Sequence, residues 1–63
     1  MQNKLKNYRE ELGLTQSELA EKSGVARTIV SYIETEKEVD VKLSTLTALS
    51  NAVGKKVSEV FSI

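Results

Sequence analysis

The chain has 63 residues, enough for one hydrophobic core and too few to enclose a deep substrate pocket. It contains neither cysteine nor histidine, which excludes disulfides, zinc fingers and the usual general base. Nine basic residues balance nine acidic ones, so any affinity for a polyanion must arise from where the charges stand, not from their sum.

No apolar run is long enough to span a membrane, and Met1, Gln2, Asn3 and Lys4 lack the apolar core of a signal peptide. A cytoplasmic location is expected. Proline is absent, and the three glycines (Gly13, Gly24 and Gly54) fall where apolar helical patterns stop. Strand-like alternation is weak, so the whole chain reads as helices within one domain, residues 1–63.

The first helix is expected from about Gln2 to Leu12, with Leu5, Tyr8 and Leu12 on one face and Gly13 ending it. Thr15-Gln16-Ser17-Glu18 spells a capping box, with the Thr15 hydroxyl and the Glu18 carboxylate each satisfying the other's backbone N–H. It starts a second helix over Gln16–Ser23, which buries Leu19 and Ala20. Gly24 and Val25 make a tight turn into a third helix, about Ala26 to Thr35. Ala26, Ile29, Val30 and Ile33 form its core stripe at i, i+3, i+4, i+7, while Arg27, Thr28, Ser31 and Tyr32 face outward.

Glu36 to Val41 is charged and aperiodic and reads as a loop. Leu43, Leu46, Leu49, Ala52 and Val53 mark a fourth helix, with Asp40, Lys42 or Ser44 at or near its cap and Gly54 closing it. Val57, Val60 and Phe61 define a short fifth helix.

Two short helices joined by a glycine-containing turn form a helix-turn-helix pattern, here Gln16–Ser23 and Ala26–Thr35. In that geometry the second helix lies in the DNA major groove. The same geometry also occurs in purely structural bundles. The run Leu12-Gly13-Leu14-Thr15-Gln16-Ser17-Glu18-Leu19-Ala20-Glu21-Lys22-Ser23-Gly24-Val25 strongly resembles the helix-turn-helix of the Cro/cI-type phage repressors, the XRE family. So does Arg27-Thr28-Ile29-Val30-Ser31-Tyr32-Ile33-Glu34. The resemblance reaches back to Leu5 and Arg9 and forward through Leu43-Ser44-Thr45-Leu46, Leu49, Ala52-Val53-Gly54 and Val57-Ser58-Glu59-Val60-Phe61. It implies an all-α, five-helix bundle that binds operator DNA, usually as a two-fold dimer.

The resemblance places Ala26, Arg27, Thr28 and Tyr32 at positions that read bases. Arginine chemistry agrees, because a guanidinium can pair with guanine O6 and N7 at once. For each residue a structural role stands beside this one: a solvated or phosphate-bound Arg27, a core Ala26, or a Tyr32 packed toward the fourth helix. Backbone contacts are expected from Thr15 and Gln16 at a helix N-terminus, and from Ser31, Lys37, Lys42 and Ser44; the resemblance implies that Gln16 also buttresses the third helix. Ile29 replaces the small polar residue often found at its place and reads as the core edge.

Arg9 and Glu34 match a pair that forms an ion pair in many relatives. The loop before the fourth helix departs from better-known relatives, because Glu36, Glu38 and Asp40 accompany Lys37 and Lys42. That weakens the expected non-specific binding.

Half-site pairing argues for a homodimer. Val57, Val60, Phe61 and Ile63 are candidates for its seam or, alternatively, for closing the core. The expected function is that of a sequence-specific DNA-binding transcriptional regulator, a repressor, with double-stranded operator DNA as its partner. No cofactor, metal or small-molecule substrate is expected, and the absence of histidine, cysteine and a phosphate-binding glycine loop argues against an enzyme. Two other readings share the sequence. One is an antitoxin or controller protein that binds its own promoter and a partner protein. The other is a protein-interaction module that has lost DNA binding.

Overall fold

The computed structural model describes residues 2–37 and 40–61. Five helices follow in chain order: α1 (Leu5–Glu11), α2 (Gln16–Ser23), α3 (Arg27–Glu34), α4 (Leu43–Ala52) and α5 (Val57–Val60). None is long and apolar enough to cross a membrane.

The capping box forms at the start of α2. Glu18 N–H donates to Thr15 Oγ1 at 3.0 Å, and Thr15 N–H donates to Glu18 Oε1 at 2.8 Å. This satisfies two orphan backbone donors at the helix start and fixes where the helix begins. The chain leaves α2 through Gly24, whose φ of 75° an L side chain rarely adopts, and this reversal sets α3 across α2.

α1, α3 and α4 all end in the same paired turn. Leu14 N–H reaches the Arg9 carbonyl, Lys55 N–H the Ser50 carbonyl, and Lys37 N–H the Tyr32 carbonyl at 3.0 Å. The first two turns place a glycine at the left-handed position. The third places Glu36 there, at φ 58°.

Leu5, Leu19, Val30, Ile33, Leu46, Leu49, Ala52, Val53, Val60 and Phe61 form the core. Tyr8, Ala20, Val25, Ile29, Val41 and Val57 pack around it. The buried Ser50 hydroxyl donates to the Leu46 carbonyl one turn back, so it carries no unmet polar cost.

The structure corrects four expectations and bears on a fifth. α1 begins at Leu5, not Gln2, because Asn3 is engaged elsewhere. Its Oδ1 accepts from Leu5 N–H, its Nδ2 donates to the Ile33 carbonyl at 2.9 Å, and it bridges antiparallel to Phe61. Ala26 precedes the first helical turn with extended ψ (138°) and is exposed, so it leaves the core stripe. Leu12 caps α1 and is 51% exposed, and Leu43, at the first position of α4, is 64% exposed; neither joins the core. Finally, Val60 and Phe61 are 1% and 0% exposed. They close the core, one of the two roles that the sequence left open for them, and Val57 is half-buried against the same cluster. Ile63 lies outside the described residues, as does Glu38 of the acidic loop.

Candidate nucleic-acid interface

α3 divides into two sides. Val30 and Ile33 are buried and Ile29 packs on the core edge. Arg27, Thr28 and Tyr32 are exposed, with Ser31 half-buried between them. Gln16 from the start of α2 joins these four around an open depression of about 230 Å³. Five of the expected contact residues, Gln16, Arg27, Thr28, Ser31 and Tyr32, therefore share one surface. Ala26 is exposed immediately before Arg27. Thr15 is exposed, but its hydroxyl already accepts the Glu18 N–H. Lys42 and Ser44 are exposed at the start of α4 and do not line the depression.

Beneath this surface lies an ion pair. Arg9 Nε donates to Glu34 Oε2 at 2.7 Å and Arg9 Nη2 to Glu34 Oε1 at 3.0 Å, the two-pronged arrangement that a guanidinium makes with a carboxylate. The side chains are 10% and 2% exposed. Arg9 Nη1 also donates to the Leu14 carbonyl, and Gln16 Nε2 donates to Glu34 Oε1 at 3.1 Å. The cluster thus ties α1, the α1–α2 turn, α2 and α3 together. The hydrogen bonds to Glu34 strengthen the guanidinium's hold on its proton, against the burial that opposes it. Glu34 is the single acid of α3, and Arg9 neutralises it, so the outward side of that helix carries no bare carboxylate.

At the other end of α3 the Lys37 ammonium lies 5.4 Å from the centroid of the Tyr32 ring, within the range of a cation–π contact. Residue spacing gave no sign of this pairing, because it depends on the chain reversal at Glu36. Gln16, which the resemblance places both against a phosphate and as a buttress of the third helix, reaches α3 through its hydrogen bond to Glu34.

A family model described as helix-turn-helix matches residues 5–60. The chain belongs to the helix-turn-helix family of the Cro/cI, or XRE, type. Within this helix-turn-helix protein, α2 and α3 are the paired helices and Gly24 opens the turn between them. Solved structures of SinR resemble it. A SinR–SinI protein complex aligns with a TM-score of 0.80 at 37% identity, covering 86% of this chain and 52% of the matched one. SinR in complex with DNA, a regulator of biofilm formation, aligns at 0.80 with 36% identity over 87% of each chain. The N-terminal DNA-binding domain of SinR from Bacillus subtilis aligns at 0.78 with 36% identity, over 89% of this chain and 81% of that one. The helix-turn-helix chain therefore spans about half the length of the chain matched in the SinR–SinI complex. No curated protein sequence matches it.

Proposed function

We propose that this chain is a sequence-specific DNA-binding transcriptional regulator, a repressor that inserts α3 into the major groove as a homodimer. The observation that carries this reading is the open polar side of α3, where the helix's one carboxylate is neutralised from beneath by Arg9. A chain of zero net charge can meet a polyanion there without a repulsive charge on the inserted helix. An α-helix with its side chains is roughly 10–12 Å across, which a major groove about 12 Å wide admits. The similarity to SinR, solved in complex with DNA, supports the same reading.

Roles follow from position. Arg27, at the first helical position of α3, reaches a base edge, with guanine as its best match. Ala26 and Thr28 flank it and offer methyl or hydroxyl contact. Tyr32 lies one turn further along. Lys42 and Ser44, at the start of α4, contact the backbone, as do Ser31 and Lys37; Thr15 and Gln16 do so at the start of α2. One such domain reads a few base pairs, and pairing two copies on half-sites about 34 Å apart supplies the remaining discrimination. The two-copy contact excludes Val60 and Phe61, which are interior.

The test compares Arg27→Ala and Lys42→Ala on a preferred and a random duplex. Arg27→Ala is expected to relax preference at one base position, by about 1–3 kcal/mol of discrimination, while retaining binding to random DNA. Lys42→Ala is expected to weaken both duplexes alike and reduce the salt slope by about 1. Equal losses on both duplexes for Arg27→Ala would remove it from the base-reading set.

A further inference from the structure

The left-handed Glu36 turn does more than end α3. It sends the chain back so that Lys37 N–H meets the Tyr32 carbonyl at 3.0 Å, while Glu36 N–H meets that of Ile33 at 3.1 Å. The Lys37 backbone is thereby pinned five residues after Tyr32, and its ammonium lies over the Tyr32 ring. Tyr32 is 39% exposed and lines the depression shared with Gln16, Arg27, Thr28 and Ser31. A tyrosine this exposed on a helix has two staggered χ1 positions open to it. A cation held over one ring face from a fixed backbone point favours one of them.

We propose that Lys37 is a positioning residue for Tyr32, holding its ring in the orientation that reads DNA, so that part of the sequence preference of this surface passes through the Lys37–Tyr32 contact. The inference rests on the DNA-reading role of α3. It goes beyond the phosphate contact proposed for Lys37 above. A phosphate contact strengthens every duplex alike. A positioning contact strengthens the preferred duplex more than a random one, and only while the ring is present.

The experiment measures dissociation constants for the wild-type protein, Lys37→Met, Lys37→Arg, Tyr32→Leu and the Lys37→Met/Tyr32→Leu double variant. Each is titrated against the duplex selected by the wild-type protein and against a random duplex. Both residues are on the surface, and a thermal melt of each variant checks that it is folded. Proton NMR of the free protein supplies a readout without DNA, because the ring current displaces upfield the methylene signal next to an ammonium held over the ring face.

Lys37→Met is expected to lose about two- to fivefold more on the selected duplex than on the random one, the size of an exposed cation–π contact. Arginine at this position should restore most of that excess, and the excess should vanish when Tyr32 is already leucine. The signal of the Lys37 methylene next to the ammonium should be displaced upfield in the wild-type protein and return to its ordinary position in Tyr32→Leu. An undisplaced signal in the free protein would overturn the positioning role whatever the DNA data show. Equal losses on both duplexes, additive with Tyr32→Leu, would overturn it while leaving DNA reading intact. A wild-type protein that selects no duplex would overturn the DNA reading and this inference with it.

Discussion

With Arg9 in place the Glu34 side chain is 2% exposed, and without the guanidinium its carboxylate would keep Gln16 as its side-chain partner. Truncating one partner of a buried ion pair costs about 3–5 kcal/mol, a large part of the stability of a small domain. Arg9→Met is therefore expected to lower the unfolding free energy by that order in a urea titration. The companion double variant, Arg9→Met with Glu34→Leu, should recover a substantial part of the loss, because no uncompensated charge remains. A single variant that unfolds within about 1 kcal/mol of wild type would mean that Glu34 finds water instead. The pair also bears on recognition, since an unpaired Glu34 would bring a negative charge beneath Gln16, where a phosphate is proposed to approach.

The helices owe their limits to short-range chemistry that differs from one element to the next. At α2 the Thr15 backbone N–H, and then the Thr15 hydroxyl, hold the Glu18 carboxyl below its usual range. A carboxyl depressed in the folded state contributes stability that is present above the unfolded value of about 4.3 and lost as pH falls through the lower folded value. Glu18→Gln keeps the capping geometry and lacks the charge. The stability difference between wild type and Glu18→Gln should shrink as pH drops below about 4 and stay constant from pH 6 to 8. A difference that is flat across the acid range would remove the charge from the cap.

This start of α2 was legible because Thr15 and Glu18 are three residues apart and complete the motif between themselves. The ends at Gly13 and Gly54 were legible because glycine announces a left-handed residue. The end of α3 was not, because Glu36 takes the same conformation without the glycine that would reveal it. Nor was the start of α1, because Asn3 bonds to Ile33, thirty positions away. Ala26 was assigned to the core by helical periodicity, which does not apply one residue before the first turn. On the candidate interface, the outward side of α3 could be read from periodicity and the buttressing by Gln16 from the family resemblance, whereas the Lys37–Tyr32 contact arises only through the reversal at Glu36.

The two ends of the described chain close the molecule together. Lys4 N–H donates to the Val60 carbonyl at 2.8 Å, Asn3 bridges to Phe61, and the Phe61 ring is fully enclosed. Apolar residues on a four-residue helix do not reveal whether they face inward or toward a second copy, and the packing assigns them inward. Phe61→Ala is accordingly expected to cost about 3–5 kcal/mol of unfolding free energy at a protein concentration where the chain is monomeric. A residue of a dimer seam would instead shift the monomer–dimer equilibrium and leave monomer stability nearly unchanged.

Zero net charge fits the proposed function because the charges are arranged, with the acid of α3 paired from beneath, Lys37 over the Tyr32 ring and Arg27 on the depression that Tyr32 also lines. The most direct test of that proposal is selection of bound duplexes from a random DNA pool, followed by a salt titration on the winner. The account predicts an enriched sequence with two related half-sites about one helical turn apart, bound more weakly as salt rises. A pool that emerges with no sequence enriched over the input would contradict it.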